Sequence, residues 1–223
     1  AYTVPALGQT GYEKLLPINP GHPDYVVLVA AGYNHDVEPA PLKIYVGVKG
    51  LDAAGNPVGD DASERDQFLA RNGLLHGKSY GLALANDAFA ALGIDEIDTG
   101  AKMMDAYLTN PDAPNTFEAA FMPTSYQWGG WDAPVAVKDT DMFKWDMEDE
   151  QPEGYTFFVG DSKTEHPAVD PDVTKHRYIQ NMTQMGGLIA FDFGDLGAQL
   201  DAAGGALPEK LDVSATRTVA AVD

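Results

Sequence analysis

The chain has 223 residues, 34 acidic against 14 basic side chains, and a formal net charge of −20. Phosphate backbones and anionic membranes are bound by Lys and Arg, so this balance argues against nucleic acid and acidic lipid as partners. A hydrophobic content of 44% rules out a wholly disordered chain, and the lack of Cys removes disulfides, thiolate metal sites and a cysteine nucleophile.

In chain order, the first strand signal is the buried run 25–30, Tyr-Val-Val-Leu-Val-Ala. Residues 42–48 alternate and stop at Gly50. Residues 61–72 read as a helix, with acids early and Arg71-Asn72-Gly73 as a stop. A strand over 78–84 follows a turn at His76-Gly77, and a second helix is expected over 83–91. The run 155–159 is a strand bounded by Gly154 and Gly160, and 187–193 is another that ends at Gly194. A third helix is expected over 195–203, capped by Asp195 and stopped by Gly204-Gly205. Residues 211–219 read as the last strand. No apolar run approaches the roughly 18 residues of a membrane span.

Short strands between Gly, Pro, Asn and Asp turns predict an all-β architecture. The pairs 25–30 with 42–48 and 155–159 with 187–193 share a form: strand, polar loop, then a strand carrying Tyr or Phe. A propeller blade takes about 40–50 residues. The expectation is therefore part of a β-propeller, several blades with long acidic loop insertions and a few short helices. An immunoglobulin-type sandwich is the alternative, and it leaves those insertions unexplained. Residues 1–223 are expected to be a single domain or a fragment of a larger propeller, completed by further chain or by another chain. Open blades leave unpaired strand edges, so the segment alone is not expected to be self-sufficient.

Five segments, in order, resemble the PhoX-type alkaline phosphatases and related propellers. They are Ala6-Leu-Gly-Gln-Thr-Gly-Tyr-Glu-Lys14, Leu42-Lys-Ile-Tyr-Val-Gly-Val-Lys49, Asn56-Pro57 with Asn72-Gly-Leu-Leu-His-Gly-Lys-Ser-Tyr-Gly-Leu82, Tyr155-Thr-Phe-Phe-Val-Gly-Asp161, and Gly187-Leu-Ile-Ala-Phe-Asp-Phe-Gly-Asp-Leu196. The third match is the most specific. The resemblance implies a propeller, export to a periplasmic or extracellular location, and calcium with iron as a second ion holding phosphate in a central channel. It also implies hydrolysis of small phosphomonoesters. Two positions depart from the family. Tyr12 stands where His is usual, and Phe121-Met-Pro-Thr-Ser-Tyr-Gln-Trp-Gly-Gly-Trp-Asp132 keeps only the aromatic residue and the final Trp-Asp of an acidic signature. A non-catalytic calcium-binding surface or scaffold protein is the alternative reading.

Calcium and iron(III) take hard oxygen ligands, so carboxylates at strand ends are the metal candidates: Glu13, Asp36 and Asp161. Each has a plainer reading. Glu13 could be a surface acid beside Lys14, Asp36 part of an Asx turn before Pro39 and Pro41, and Asp161 a turn residue. Asn34, His35 and Glu38 surround Asp36. The acids of 139–150 do not match the EF-hand spacing and read as a solvated loop. The five histidines lack zinc spacing, and Glu165-His166 reads as a loop hydrogen bond. Ser125 has no nucleophile elbow, and Ser79 sits in a strand. Trp128-Gly-Gly-Trp131 reads as a packing plug, and Asn181-Met-Thr183 as a sequon that matters only in a glycosylating source.

Overall fold

The computed structural model describes residues 2, 4–8, 11–33, 41–92, 107, 110–124, 151–158, 163–183 and 187–219. Within these, the strands are β1 (Gly11–Ile18), β2 (Tyr25–Tyr33), β3 (Lys43–Val48), β4 (His76–Ala85), β5 (Thr116–Pro123) and β6 (Tyr155–Phe157). They continue with β7 (Lys163–Thr164), β8 (Ala168–Val169), β9 (Arg177–Met182), β10 (Gly187–Asp192) and β11 (Leu211–Val219). All are antiparallel and belong to one sheet, in the order β1-β2-β3-β4-β5-β11-β10-β9-β8, with β6 on β4 and β7 on β2. The two ends of this path, β1 and β8, bring Cα atoms within 8 Å of each other. The sheet therefore curves into a nearly closed, barrel-like wall.

The all-β expectation holds. The described strands differ from separate blades in one respect: each is hydrogen-bonded into a single continuous sheet. The pairing of β5 with β11 joins the two halves of the chain, from Thr116 opposite Thr216 to Phe121 opposite Leu211. A blade would have closed its hydrogen bonds on itself.

Alternation fills the inside of the wall. Val27 and Val29 of β2, Ile44 and Val46 of β3, and Phe121 and Phe191 are all buried in one core. Phe121 lies 5.6 Å from Phe193 in a stacked arrangement, and Tyr178 stacks on Phe191 at 4.8 Å. At roughly 25 cal/mol per Å² of apolar surface removed from water, these rings supply much of the driving force for closure. No Asp or Glu is buried among the described residues.

Among the described residues, three α-helices with defined bounds lie beside the strands, together with a 3-10 turn at Pro5–Leu7. Helix α1 (Glu64–Arg71) starts at Ser63, whose hydroxyl accepts the Asp66 N–H, and ends at Asn72. Helix α2 (Asn86–Ala90) is a single turn after β4, shorter than the expected 83–91 because 83–85 stay in the strand. Helix α3 (Leu196–Ala202) is capped by Asp195 as expected and buries Leu196 and Leu200. The chain after α3 closes one end of the wall. Tyr25 Oη donates to the Ala206 carbonyl at 2.7 Å and Tyr80 Oη to the Pro208 carbonyl at 2.7 Å. Opposite this, buried Arg217 ties down the approach to β5. It donates to the carbonyls of Tyr107, Asn110 and Ala113 and covers the Tyr107 ring at 4.8 Å.

Candidate functional site

Glu13 lies in a β-bulge. Tyr12 pairs with Gly32 and Lys14 with Ala31, so Glu13 is the extra residue with no partner across the strand. Its side chain is exposed and makes no hydrogen bond or ion pair among the described residues. A bulge re-aims its side chain out of the ladder, so the carboxylate is free to accept a cation.

The register around Glu13 bears on the other two candidates. Tyr33 at the end of β2 pairs with Gly11 on one side and with Lys163 on the other. Paired strands lie about 4.8 Å apart. Gly11 is two residues from Glu13, Tyr33 three residues before Asp36, and Lys163 two residues after Asp161. One corner of the sheet thus joins Glu13's strand to the described residues that precede Asp36 and follow Asp161 in sequence. Asp36 and Asp161 themselves lie outside the described residues, as do Asn34, His35, Glu38, Ser125, Trp128, Trp131 and the acids of 139–150. Among the described residues no group of three His, Asp or Glu side chains is placed to hold a metal ion. Glu13, the one described candidate, offers a carboxylate oxygen, a donor type that suits a hard cation and not a soft one.

The same corner holds a buried amine that sequence reading missed. Lys43, at the start of β3, pairs with Ala30 and Gly81 and is 7% exposed. Burial pulls its pKa down from 10.5 to about 7. Nearby, Thr164 Oγ1 donates to the Gly32 carbonyl at 3.0 Å, which fixes β7 against β2. The alternation of β3 puts Lys43 and Tyr45 on the face opposite Ile44 and Val46, and that face is buried as well, which alternation alone did not signal.

The described histidines serve local structure. His22 stands 3.7 Å from Asp201 and edge-on to Tyr25 at 4.9 Å. His176 Nδ1 accepts the Leu196 N–H at 3.1 Å at the start of α3. His166 approaches Glu165 at 3.5 Å and is largely exposed. Ser79 donates to the Leu7 carbonyl at 3.1 Å, and Asn181 Nδ2 donates to Thr183 Oγ1 at 3.3 Å.

A second feature lies on the outside of the wall. The outward residues of β8 to β11 border a groove of about 540 Å³. Its floor is Ala190 and Ile179, and one end is the ion pair of Arg177 with Asp170. Arg177 donates from Nε at 3.0 Å and Nη2 at 2.6 Å to the same Asp170 oxygen; the Asp172 N–H first and then this guanidinium hold the Asp170 carboxyl below its usual range, and the carboxylate holds the guanidinium above its own. A shallower depression of about 320 Å³ adjoins it at Asp192 and Ser214 and reaches Glu118. None of these residues carried a motif; only strand register brings them together.

No protein-family model, curated protein or solved structure matches the chain.

Proposed function

We propose that this chain is a hard-cation-binding β-protein of the PhoX-like kind, with hydrolysis of small phosphomonoesters as the activity of the assembled protein. The observation that supports this most is the register at Tyr33, with Gly11 and Lys163 on either side of it. It brings Tyr33 and Lys163, the described residues nearest in sequence to Asp36 and Asp161, beside the strand that carries Glu13. Calcium is the first candidate ion and iron the second; a bound cation there would polarise a phosphoryl oxygen. Glu13 would be a ligand, and at alkaline pH, above the value of about 7 for Lys43, the neutral amine would not repel the cation. The propeller frame, export and a completing chain are part of the same proposal and rest on motif order; the single sheet of the described strands does not supply the frame.

The departure at Tyr12 favours a second reading, a calcium-binding scaffold without turnover. Tyr12 donates its hydroxyl to the Leu7 carbonyl, a structural role in the place where the family has an imidazole. Calcium titration by calorimetry, beside turnover of a chromogenic phosphomonoester with and without chelator, separates the two. The enzyme requires chelator-sensitive turnover, and Glu13→Gln weakens calcium binding about tenfold. Calcium binding and a raised melting temperature without turnover identify the scaffold. Neither binding nor turnover would overturn both.

A further inference from the structure

We infer that the outer groove of β8 to β11 binds an amphipathic organic cation, an amine or guanidinium carrying an aliphatic body. Its position is independent of the Tyr33 corner. Register defines its chemistry. Glu118 pairs with Ser214, Ser214 with Asp192, and Asp192 with Arg177, so these four form one row across β5, β11, β10 and β9. The next row outward on the same face runs Thr216, Ala190, Ile179, Ala168. A polar, acidic row therefore runs beside a small and apolar one.

The charge of the polar row is one-sided. Asp170 holds Arg177 through two hydrogen bonds, and Lys210 is held by Asp212 at 2.8 Å. Glu118 and Asp192 have no ion pair within 4 Å among the described residues; Asp192 accepts the Gly194 N–H at 2.8 Å through one oxygen and lies across the strand from Arg177, whose guanidinium its charge also stabilises. They flank Ser214, each one strand away, about 4.8 Å on either side. An ammonium over Ser214 would meet a carboxylate on both sides and a hydroxyl acceptor below. Its aliphatic body would cover Ala190 and Ile179, the latter 40% exposed. A carboxylate ligand is disfavoured, because the one guanidinium of the row is already neutralised. The groove of about 540 Å³ is of the size that takes a small ligand.

Calorimetric titration of the purified protein with octylammonium tests this, with octanoate as the matched anion. Saturable octylammonium binding and no octanoate binding are expected. The double variant Glu118→Gln/Asp192→Asn should weaken octylammonium at least tenfold, while Asp60→Asn/Asp61→Asn, equal in charge change and remote in the turn before α1, should leave it within twofold. Ala190→Phe, which fills the floor, should abolish binding with an unchanged calcium response. Equal loss in both charge pairs would mean attraction to net charge alone and would overturn the site, as would octanoate binding as tightly as the amine, or no binding at all. Unchanged far-ultraviolet circular dichroism and melting of each variant exclude misfolding as the cause of a loss.

Discussion

Lys43 shows how one residue sets a pH dependence for the whole fold. Its amine is buried, and its pKa falls from 10.5 to about 7 because the charged form is poorly solvated there. Between those two values the unfolded chain holds a proton that the folded chain has lost. Stability therefore rises with pH through that window, and below about 7 the cost of burying the charge is present in full. The slope approaches about 1.4 kcal/mol per pH unit at most. Urea midpoints at pH 7.5, 8.5 and 9.5 should climb for the wild type and stay level for Lys43→Met. A wild-type midpoint that falls over this range would show that the amine is charged in the fold. Arg217 is also buried, and its N–H groups donate to the carbonyls of Tyr107, Asn110 and Ala113.

At the scale of elements, strand β1 explains Glu13 without any metal. β1 is an end of the sheet path, with one hydrogen-bonding edge on β2. An open edge is a template for another chain, and it is blunted by bulges, Lys and Pro. β1 carries all three, at Glu13, Lys14 and Pro17. Replacing Lys14 and Pro17 by Val and Thr should convert the protein to higher oligomers at micromolar concentration, read by size exclusion with light scattering. An unchanged elution profile would mean that approach of β8 already covers the edge. The same devices hid β1 from sequence reading, because a bulge and a Pro break the two-residue period. β2, β3 and β10 were legible since their apolar runs are long and end at glycines. β9 was not, because its pattern is inverted: Gln180 is buried, donating to the Glu165 carbonyl at 3.1 Å, while Ile179 is exposed. Helix α3 was readable from Asp195 to Gly204 since its cap and stop are local, and the helix expected over 83–91 lost its first turn to pairing of β4 with β5 and β6. Of the candidate site, the residue types could be read from sequence. The adjacency of Gly11, Tyr33 and Lys163, and the rows of the outer groove, could not, since both depend on which distant strands pair.

For the molecule as a whole, the charge of −20 is the term that local contacts cannot balance. The ion pairs of the described residues, such as Arg177 with Asp170 and Lys210 with Asp212, lie at the surface. Such pairs are worth about 0–1 kcal/mol each and are themselves weakened by salt. Folding brings the surplus carboxylates closer together than they are in the unfolded chain, so their mutual repulsion opposes the fold. Salt reduces that repulsion: the screening length falls from about 30 Å at 0.01 M to about 10 Å at 0.1 M and 3 Å at 1 M. The two effects of salt oppose each other, and the excess of acids over bases decides the sign. Melting followed by circular dichroism should rise by several degrees from 0.01 to 0.5 M KCl, since about 1 kcal/mol moves a domain of this size by about 2–4 °C. Chelator in both buffers keeps calcium binding at the Tyr33 corner out of the comparison. A lower melting temperature at high salt would mean that paired charges outweigh the surplus, and that the acids are arranged around cations already held by the fold.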